Sequence, residues 1–221
     1  MKSYKYLTGI TAFFAVILIV SNIASSKLTS FFGLTLDAGT ILFPLTYIFG
    51  DILTEVYGYN VSRKVIWIGF GSSLLASLVF IAVSALPQSP EWGNQGAYET
   101  ILGLTPRIVI ASLSAYLVGE FANSMIMAKI KVKMAGKKLW VRTISSTLVG
   151  QLLDSTIFVV VAFIGIFPTP LILILIASNY IFKVGIEIVL TPVTYKVVGF
   201  LKKNEMIDTY DTNTNWNPFR I

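Results

Sequence analysis

The chain has 221 residues, of which 55% are hydrophobic and only 13% carry a charge. Soluble domains carry roughly 25% charged residues, so this composition indicates an integral membrane protein. The sequence has no cysteine and no histidine, which excludes structural disulfides, Cys/His metal sites and a histidine proton relay. The net charge of +6 comes from Lys and Arg clustered in short loops, so we predict no nucleic-acid partner and no cofactor.

Six apolar stretches are long enough to span a membrane, which takes about 20 residues. They run approximately over 5–26, 39–57, 62–86, 107–129, 141–166 and 171–199. We predict that the first is a transmembrane helix and not a cleavable signal, because it ends at Ser25-Ser26-Lys27 without a small-x-small cleavage pattern. The last is long enough to tilt or to continue past the membrane surface. The sequence therefore predicts an all-α integral membrane protein with six transmembrane helices over residues 1–203.

Basic residues predict the orientation, because Lys and Arg accumulate in cytoplasmic loops. Fourteen of the 17 basic residues lie on the side of the two termini: Lys2, Lys5, Arg63, Lys64, Lys129, Lys131, Lys133, Lys137, Lys138, Arg142, Lys196, Lys202, Lys203 and Arg220. Both termini are therefore predicted to be cytoplasmic, and the polar tail 204–221 to be a loosely ordered cytoplasmic segment. The longest connector, 87–106, either caps an outer mouth or simply joins two inverted halves of three spans.

Five carboxylates lie inside the apolar stretches, whereas Lys183 is the one basic residue placed equally deep. They are Asp51, Glu55, Glu120, Asp154 and Glu187. An ionised carboxylate in hydrocarbon costs several kcal/mol, so such groups pair, line a water-filled path or bind a ligand. A surplus of acids over bases indicates a binding cavity within the helix bundle.

Polar residues of spans 4, 5 and 6 converge on the bilayer centre when depth is counted at 1.5 Å per residue. Spacings of three or four residues place each set on one helix face. The predicted binding residues are Glu120, Asn123, Gln151, Asp154, Asn179 and Lys183, with Asn22 either closing the site or capping span 1. Glu120, Asn123, Gln151 and Asp154 have no basic residue at helical spacing, which favours a ligand or coupling-ion role for them.

Structural or coupling roles are assigned to Asp51, Glu55, Arg142 and Glu187. Glu187 is expected to pair with Lys183 one turn away. Asp51 and Glu55 either serve the site or form a salt-bridge cluster with Arg63 and Lys64. One or two aromatic residues near the polar set could stack on a planar ligand: Tyr47, Tyr57, Tyr116, Phe121, Phe158, Tyr180 and Phe182.

Four of the spans carry motifs that resemble a known family. Span 2 reads Phe49-Gly-Asp51-Ile-Leu-Thr-Glu55-Val-Tyr57-Gly58 and span 4 reads Gly119-Glu120-Phe121-Ala-Asn123. Span 5 reads Arg142-Thr-Ile-Ser145-Ser146 and then Gly150-Gln151-Leu-Leu-Asp154-Ser-Thr-Ile-Phe158; span 6 reads Lys183-Val-Gly-Ile-Glu187 and then Thr191-Pro192. Together they resemble the bacterial and archaeal queuosine precursor transporter family, also called the vitamin uptake transporter family.

The resemblance implies a multi-pass protein of the bacterial or archaeal cytoplasmic (inner) membrane that imports 7-deazapurines for tRNA queuosine salvage. Its substrates would be 7-cyano-7-deazaguanine, 7-aminomethyl-7-deazaguanine or queuine. One carboxylate, Glu120 or Asp154, would bind the guanine-like edge with Asn123 and Gln151 beside it. The other would meet an amine or carry a coupling proton. The resemblance also implies a six-helix fold that works without an ATPase module, and the chain has no Walker motif.

Other functions share parts of this pattern. A carrier of another vitamin or purine-like metabolite fits nearly all of it, as does the substrate-binding subunit of an energy-coupling-factor transporter. An intramembrane aspartyl protease is disfavoured, because Asp51 follows Phe-Gly rather than Gly-x-Gly and lies at a different depth from Asp154. We therefore predict that the protein is not an enzyme. A homodimer is left open, although no span shows a clear Gly-x-x-x-Gly face.

Overall fold

A computed structural model of the protein describes residues 4–31, 34–103 and 106–220. Its long helices are α1 (Leu7–Ala24), α2 (Gly39–Tyr57), α3 (Tyr59–Ser84), α5 (Pro106–Lys133), α6 (Leu139–Phe163) and α7 (Thr169–Glu205). All six are long and apolar enough to cross a membrane, which confirms the predicted spans. The helix of α2 has the predicted bounds, and the others differ by a few residues at their ends.

Two short elements lie outside the predicted spans. Helix α4 (Gln95–Leu102) forms within the long connector, and strands β1 (Leu28–Phe31) and β2 (Leu34–Asp37) join α1 to α2. The strands are antiparallel, with Leu28 opposite Asp37. The predicted all-α architecture is confirmed for the six long helices, and this short hairpin is an exception outside them. Leucine alternates with polar residues along β2, which is the period of a strand, but four residues give a weak signal.

Helix α2 is the central helix of the bundle. In its most apolar 18-residue window, 72% of the residues are buried, compared with 17% in α1 and 22% in α7. It packs against α1, α3, α5 and α7. The surrounding helices expose apolar side chains such as Leu75, Ile110 and Ile181, as contact with lipid requires. Acidic residues on α2 are therefore shielded from lipid by the other helices.

Helices α5 and α6 touch through two glycines. A Cβ atom on Gly119 would lie 3.1 Å from the carbonyl oxygen of Gly150, and the reverse distance is also 3.1 Å. Small residues at such crossings let helix backbones approach closely. The Tyr47 hydroxyl of α2 donates to the Gly150 carbonyl at 3.4 Å, so α2 is tied to the same crossing. This contact places the polar residues of the three helices next to one another.

The C-terminal tail packs against the ends of the helices. Arg63 donates to the carbonyl oxygens of Asn215 and Asn217 at 2.9 and 2.8 Å. The Trp67 indole donates to the Pro218 carbonyl at 2.8 Å, and the Trp216 and Tyr59 rings lie 5.2 Å apart. The expectation of a loosely ordered tail is therefore wrong, because side chains of α3 satisfy backbone carbonyls of a segment that has no apolar pattern of its own.

Candidate functional site

A cavity lies between α1, α2, α5, α6 and α7 and holds about 390 Å³ of empty space, its open mouth included. Four of the predicted binding residues line it: Asn22, Asp154, Asn179 and Lys183. Aromatic rings of Phe43 and Phe158 complete the lining, with hydroxyl groups from α1, α2 and α5 around them. The cavity therefore combines charged, amide and aromatic surfaces within one small space.

A buried ion pair forms one side of this cavity. The Lys183 ammonium donates to Asp154 Oδ2 at 2.6 Å, and the two side chains are 8% and 2% exposed. The same ammonium lies 4.6 Å from the centre of the Phe43 ring, a distance typical of a cation–π contact. The pair is neutral as a whole, yet it presents a carboxylate acceptor and an ammonium donor beside a flat apolar ring.

The two amides hold different positions in the cavity. Asn22 accepts a hydrogen bond from Ser112 at 3.2 Å, which links α1 to α5. Asn179 donates to the Leu175 carbonyl of its own helix at 3.0 Å. Helix α1 ends at Ala24, and its C-cap is Ser25. Asn22 therefore lines the cavity and is not the C-cap of α1, and its role in binding stays a prediction.

The other three predicted binding residues lie behind the cavity. Glu120, Asn123 and Gln151 are each 0% exposed and are not among its lining residues. Asn123 donates to Asp51 Oδ1 at 2.8 Å. The Glu120 carboxylate lies against the α2 backbone, since a Cβ on Gly50 would be 2.6 Å from its Oε2. The predicted set is therefore divided into a group that lines the cavity and a group enclosed by helices.

Three carboxyl groups form what we call the inner acid cluster: Asp51, Glu120 and Glu187. Each is buried, and they lie near enough to repel one another if ionised. No ion pair joins any of them to a Lys or Arg within the residues that the structure describes. Glu187 accepts from the Thr147 hydroxyl of α6. The predicted Lys183–Glu187 pair is wrong, because Lys183 reaches across to α6 instead of along its own helix.

A second cluster surrounds Glu55 at the C-terminal end of α2. Arg142 and Lys202 each lie 2.5 Å from a Glu55 carboxylate oxygen, and Lys131 lies 3.5 Å away. Asp208 of the tail pairs with Lys131 and, at 2.9 Å, with Lys202. Partial burial acts to raise the pKa of Asp208, but hydrogen bonds from the two lysines outweigh it and hold that pKa below its usual value. We call these five residues the Glu55 cluster.

One of the two alternatives for the α2 acids, a salt-bridge cluster with Arg63 and Lys64, is wrong in its partners. Glu55 points into the bundle, where cations of α5, α6 and α7 meet it, while Asp51 bonds to Asn123. Arg63 is occupied by the tail carbonyls. Arg63 and Lys64 were chosen because they are close to the α2 acids in the sequence. The buried acids instead contact residues of helices that are distant in the sequence.

Comparison with known proteins identifies the chain at the level of its family. The family model described as "Putative vitamin uptake transporter" matches residues 37–197. This range contains the whole of α2 to α6 and most of α7, including every member of the inner acid cluster. The chain belongs to the vitamin uptake transporter family.

Two relatives of this transporter carry a more specific name. This chain is 30% identical to the "Probable queuosine precursor transporter" of Bacillus subtilis (strain 168), over 85% of this chain and 82% of that protein. It is 24% identical to the "Queuosine precursor transporter" of Escherichia coli (strain K12), over 73% of this chain and 71% of that protein. No solved structure matches. The predicted family resemblance is confirmed, and the protein is a multi-pass transporter of the cell membrane.

Sequence reasoning missed several residues that shape this transporter's polar sites. Lys131 and Lys202 lie beyond the apolar stretches by composition, yet Lys131 is only 1% exposed. Phe43 was absent from the aromatic candidates, although it follows the cavity residue Thr40 by three positions on α2. That spacing, on the most polar span, was the available signal for Phe43. For Lys131 and Lys202, the available signal was that the acids within the spans outnumber the basic residues there. Some of those acids therefore had to pair with basic residues from outside the spans.

Proposed function

We propose that this transporter imports queuosine precursors, namely 7-cyano-7-deazaguanine, 7-aminomethyl-7-deazaguanine or queuine, for tRNA queuosine salvage. The names of two relatives support the substrate class. The observation that carries the proposal is the Asp154–Lys183 pair on one side of a cavity that also holds an amide and aromatic rings. A planar, hydrogen-bonding heterocycle matches that combination.

The chemistry of a deazaguanine fits the cavity group by group. Its ring N–H and exocyclic amino group lie side by side, so the Asp154 carboxylate can accept both. Its carbonyl oxygen needs a donor, which Lys183 or Asn179 can supply. The flat ring can lie on Phe43 or Phe158. Asn123 and Gln151, which are fully enclosed, would hold the helices of the site in place from behind.

We also propose that both termini and the tail 204–221 are cytoplasmic and that the cavity opens outward. The distribution of Lys and Arg supports this orientation. Cavity residues Asn22 and Thr40 lie near the end of α1 and the start of α2, away from the Glu55 cluster. Because the chain has no cysteine, single cysteines can report on it directly. An impermeant thiol reagent should label Ser89→Cys from outside, and Thr212→Cys only after the membrane is permeabilised.

The proposed transporter works alone, without an ATPase module, as its family resemblance implies. We also propose that the six spans form two inverted halves of three spans. Whether the transporter is a monomer or a homodimer is left to experiment. Purification in mild detergent tests the absence of an ATPase module and the oligomeric state. Light scattering would give the mass of the particle, and an ATPase subunit that remains bound would contradict the first point.

Uptake of labelled substrate tests the proposed function. Cells that lack queuosine synthesis would receive the wild-type chain or Asp154→Asn, and each of the three labelled compounds would be offered. Competable uptake with the wild-type chain and its loss with Asp154→Asn is the expected result. Glu99→Gln is the matched control, because Glu99 is an exposed acid on α4. No uptake of any compound by folded wild-type protein would refute the substrate assignment.

A further inference from the structure

The Glu120 carboxyl group is enclosed without a partner. Its side chain is 0% exposed, and neither carboxyl oxygen has a hydrogen-bond partner among the residues that the structure describes. An ionised carboxylate in such surroundings would cost several kcal/mol, since no hydrogen-bond donor among the described residues compensates its charge. Protonation removes the larger part of that cost, which comes from the charge. Enclosure of Glu120 in this conformation therefore favours the protonated acid over the carboxylate.

Groups on each helix that packs around Glu120 favour the same state. Helix α2 presents Tyr47 and Asp51, and Tyr116 lies one turn away on α5. Helices α6 and α7 present Asp154 and Glu187. Lys183 is the cation of this region within the described residues, and it is bound to Asp154. Negative charge on Glu120 would therefore meet more acids than available cations.

Glu120 differs from the two other members of the inner acid cluster. Asp51 receives a hydrogen bond from Asn123, and Glu187 receives one from Thr147, so each has a donor that can support a charge. Glu120 instead lies against α2 at Gly50, where the missing side chain leaves room for its carboxyl group. Glu120 also lies behind the cavity and does not line it.

We propose that Glu120 is the proton-carrying group of this transporter and that it couples substrate import to proton entry. The proposal rests on the proposed function. In the described conformation Glu120 holds its proton away from water. When the bundle opens toward the cytoplasm, water reaches the group, its O–H bond breaks and the proton passes to cytoplasmic water. The carboxylate takes up another proton from the outer side before the next cycle, so one proton accompanies each substrate.

Transport by purified protein in liposomes tests the coupling. With labelled 7-cyano-7-deazaguanine outside, the wild-type chain should accumulate substrate severalfold above equilibrium when the outside is made acidic. Glu120→Gln should equilibrate substrate across the membrane without accumulating it, and Glu99→Gln should behave like the wild-type chain. Accumulation by Glu120→Gln that matches the wild-type chain would overturn the proposal. So would wild-type accumulation driven by a sodium gradient and unaffected by the pH gradient.

Infrared spectroscopy gives a readout that does not depend on the substrate. A protonated carboxylic acid has a carbonyl stretch that a carboxylate lacks. The wild-type chain should show this band at neutral pH, and Glu120→Gln should lose it; an unchanged band would overturn the proposal even if the substrate assignment holds. Should Glu120→Gln not assemble, Gly50→Ala keeps the acid but crowds its carboxyl group. Gly50→Ala should shift the band, and an unshifted band would likewise count against Glu120. If the wild-type chain shows this Glu120-dependent band but binds no deazapurine, the substrate assignment is refuted and the protonated state of Glu120 is not.

Discussion

Asp51 and Glu55 lie one turn apart on the same helix, yet their surroundings are opposite. Glu55 is contacted by Arg142, Lys202 and Lys131. Asp51 has the neutral donor Asn123 and lies close to two further carboxyl groups. Both side chains are almost fully buried, at 0% and 1% exposure. Burial alone therefore does not identify the role of a carboxylate within the membrane. The number of cations in contact with it is more informative.

The comparison separates two uses of an acid inside a helix bundle. In the Glu55 cluster, charges of opposite sign join α2, α5, α6, α7 and the tail at one end of the molecule. Such a network holds elements together, and it loses much when one partner is removed. Within the described residues, no Lys or Arg forms an ion pair with the inner acid cluster. Its members can change protonation without leaving an opposite charge exposed.

Replacing Glu55 by glutamine should give the largest effect on stability. The change leaves the buried Lys131 and Arg142 and the partly exposed Lys202 with the 41% exposed Asp208 as the remaining counter-charge among the described residues. Removal of one partner from a buried ion pair typically costs about 3–5 kcal/mol. We expect a loss of that size in the free energy of unfolding, measured by reversible unfolding in mixed detergent micelles.

The matched variant is Glu120→Gln, which removes an equally buried acid from the cluster without cations. Its free energy of unfolding should stay within about 1 kcal/mol of the wild-type value, because an amide of the same shape replaces a neutral acid. Equal destabilisation by the two variants would break the comparison. A stable Glu55→Gln variant would show that its three cations are satisfied in some other way.

The helices could be predicted from the sequence, but the partners of their polar residues could not. Hydropathy and length were enough for six spans, because lipid imposes one simple requirement on each of them. Convergence of Asp154 and Lys183 also followed from depth along their helices. Glu187 was paired wrongly, since two positions one turn apart can each point to a different neighbouring helix. The tail was misjudged because its contacts are backbone carbonyls, which a sequence does not distinguish.

The cavity extends the comparison to the charge of the substrate. Asp154 is neutralised by Lys183, and no second carboxylate lines the cavity within the described part of the chain. An uncharged deazaguanine can enter without adding net charge, whereas an aminomethyl cation would meet the Lys183 ammonium. We expect the neutral cyano compound to bind at least about tenfold more tightly than the aminomethyl compound, which corresponds to about 1.4 kcal/mol.

Competition binding to purified protein measures that preference. Lys183→Gln should narrow it, because the variant removes the cation and leaves Asp154 free to bind an amine. The same variant should weaken binding of the neutral compound, since its carbonyl loses a donor. Equal affinity of the wild-type chain for both compounds would show that a carboxylate outside the lining, such as Glu120, reaches the ligand.

The smallest expected effect comes from Asp208, which joins the tail to the Glu55 cluster. Its pKa is lower in the folded protein than in the unfolded chain, where an aspartate titrates near about 3.9. The pair therefore stabilises the tail at neutral pH, and this contribution is lost as the pH falls below about 3.9 and through the folded pKa. Because Asp208 is 41% exposed, solvent screening limits the contribution to less than about 1 kcal/mol.

Protease cleavage within the tail, followed in detergent, measures this contribution. Cleavage of the wild-type tail should accelerate as the pH falls through that window, when an acid-active protease is used throughout. At the upper end of that window, Asp208→Asn should be cleaved faster than the wild-type chain and should lose the extra dependence on acid, whereas Glu99→Gln should follow the wild-type curve. A tail that is cleaved at the same rate in Asp208→Asn and in the wild-type chain would mean that the contacts of Arg63 and Trp67 hold it alone. The Glu55 cluster would then join helices only, and the tail would not contribute to the stability of that end of the bundle.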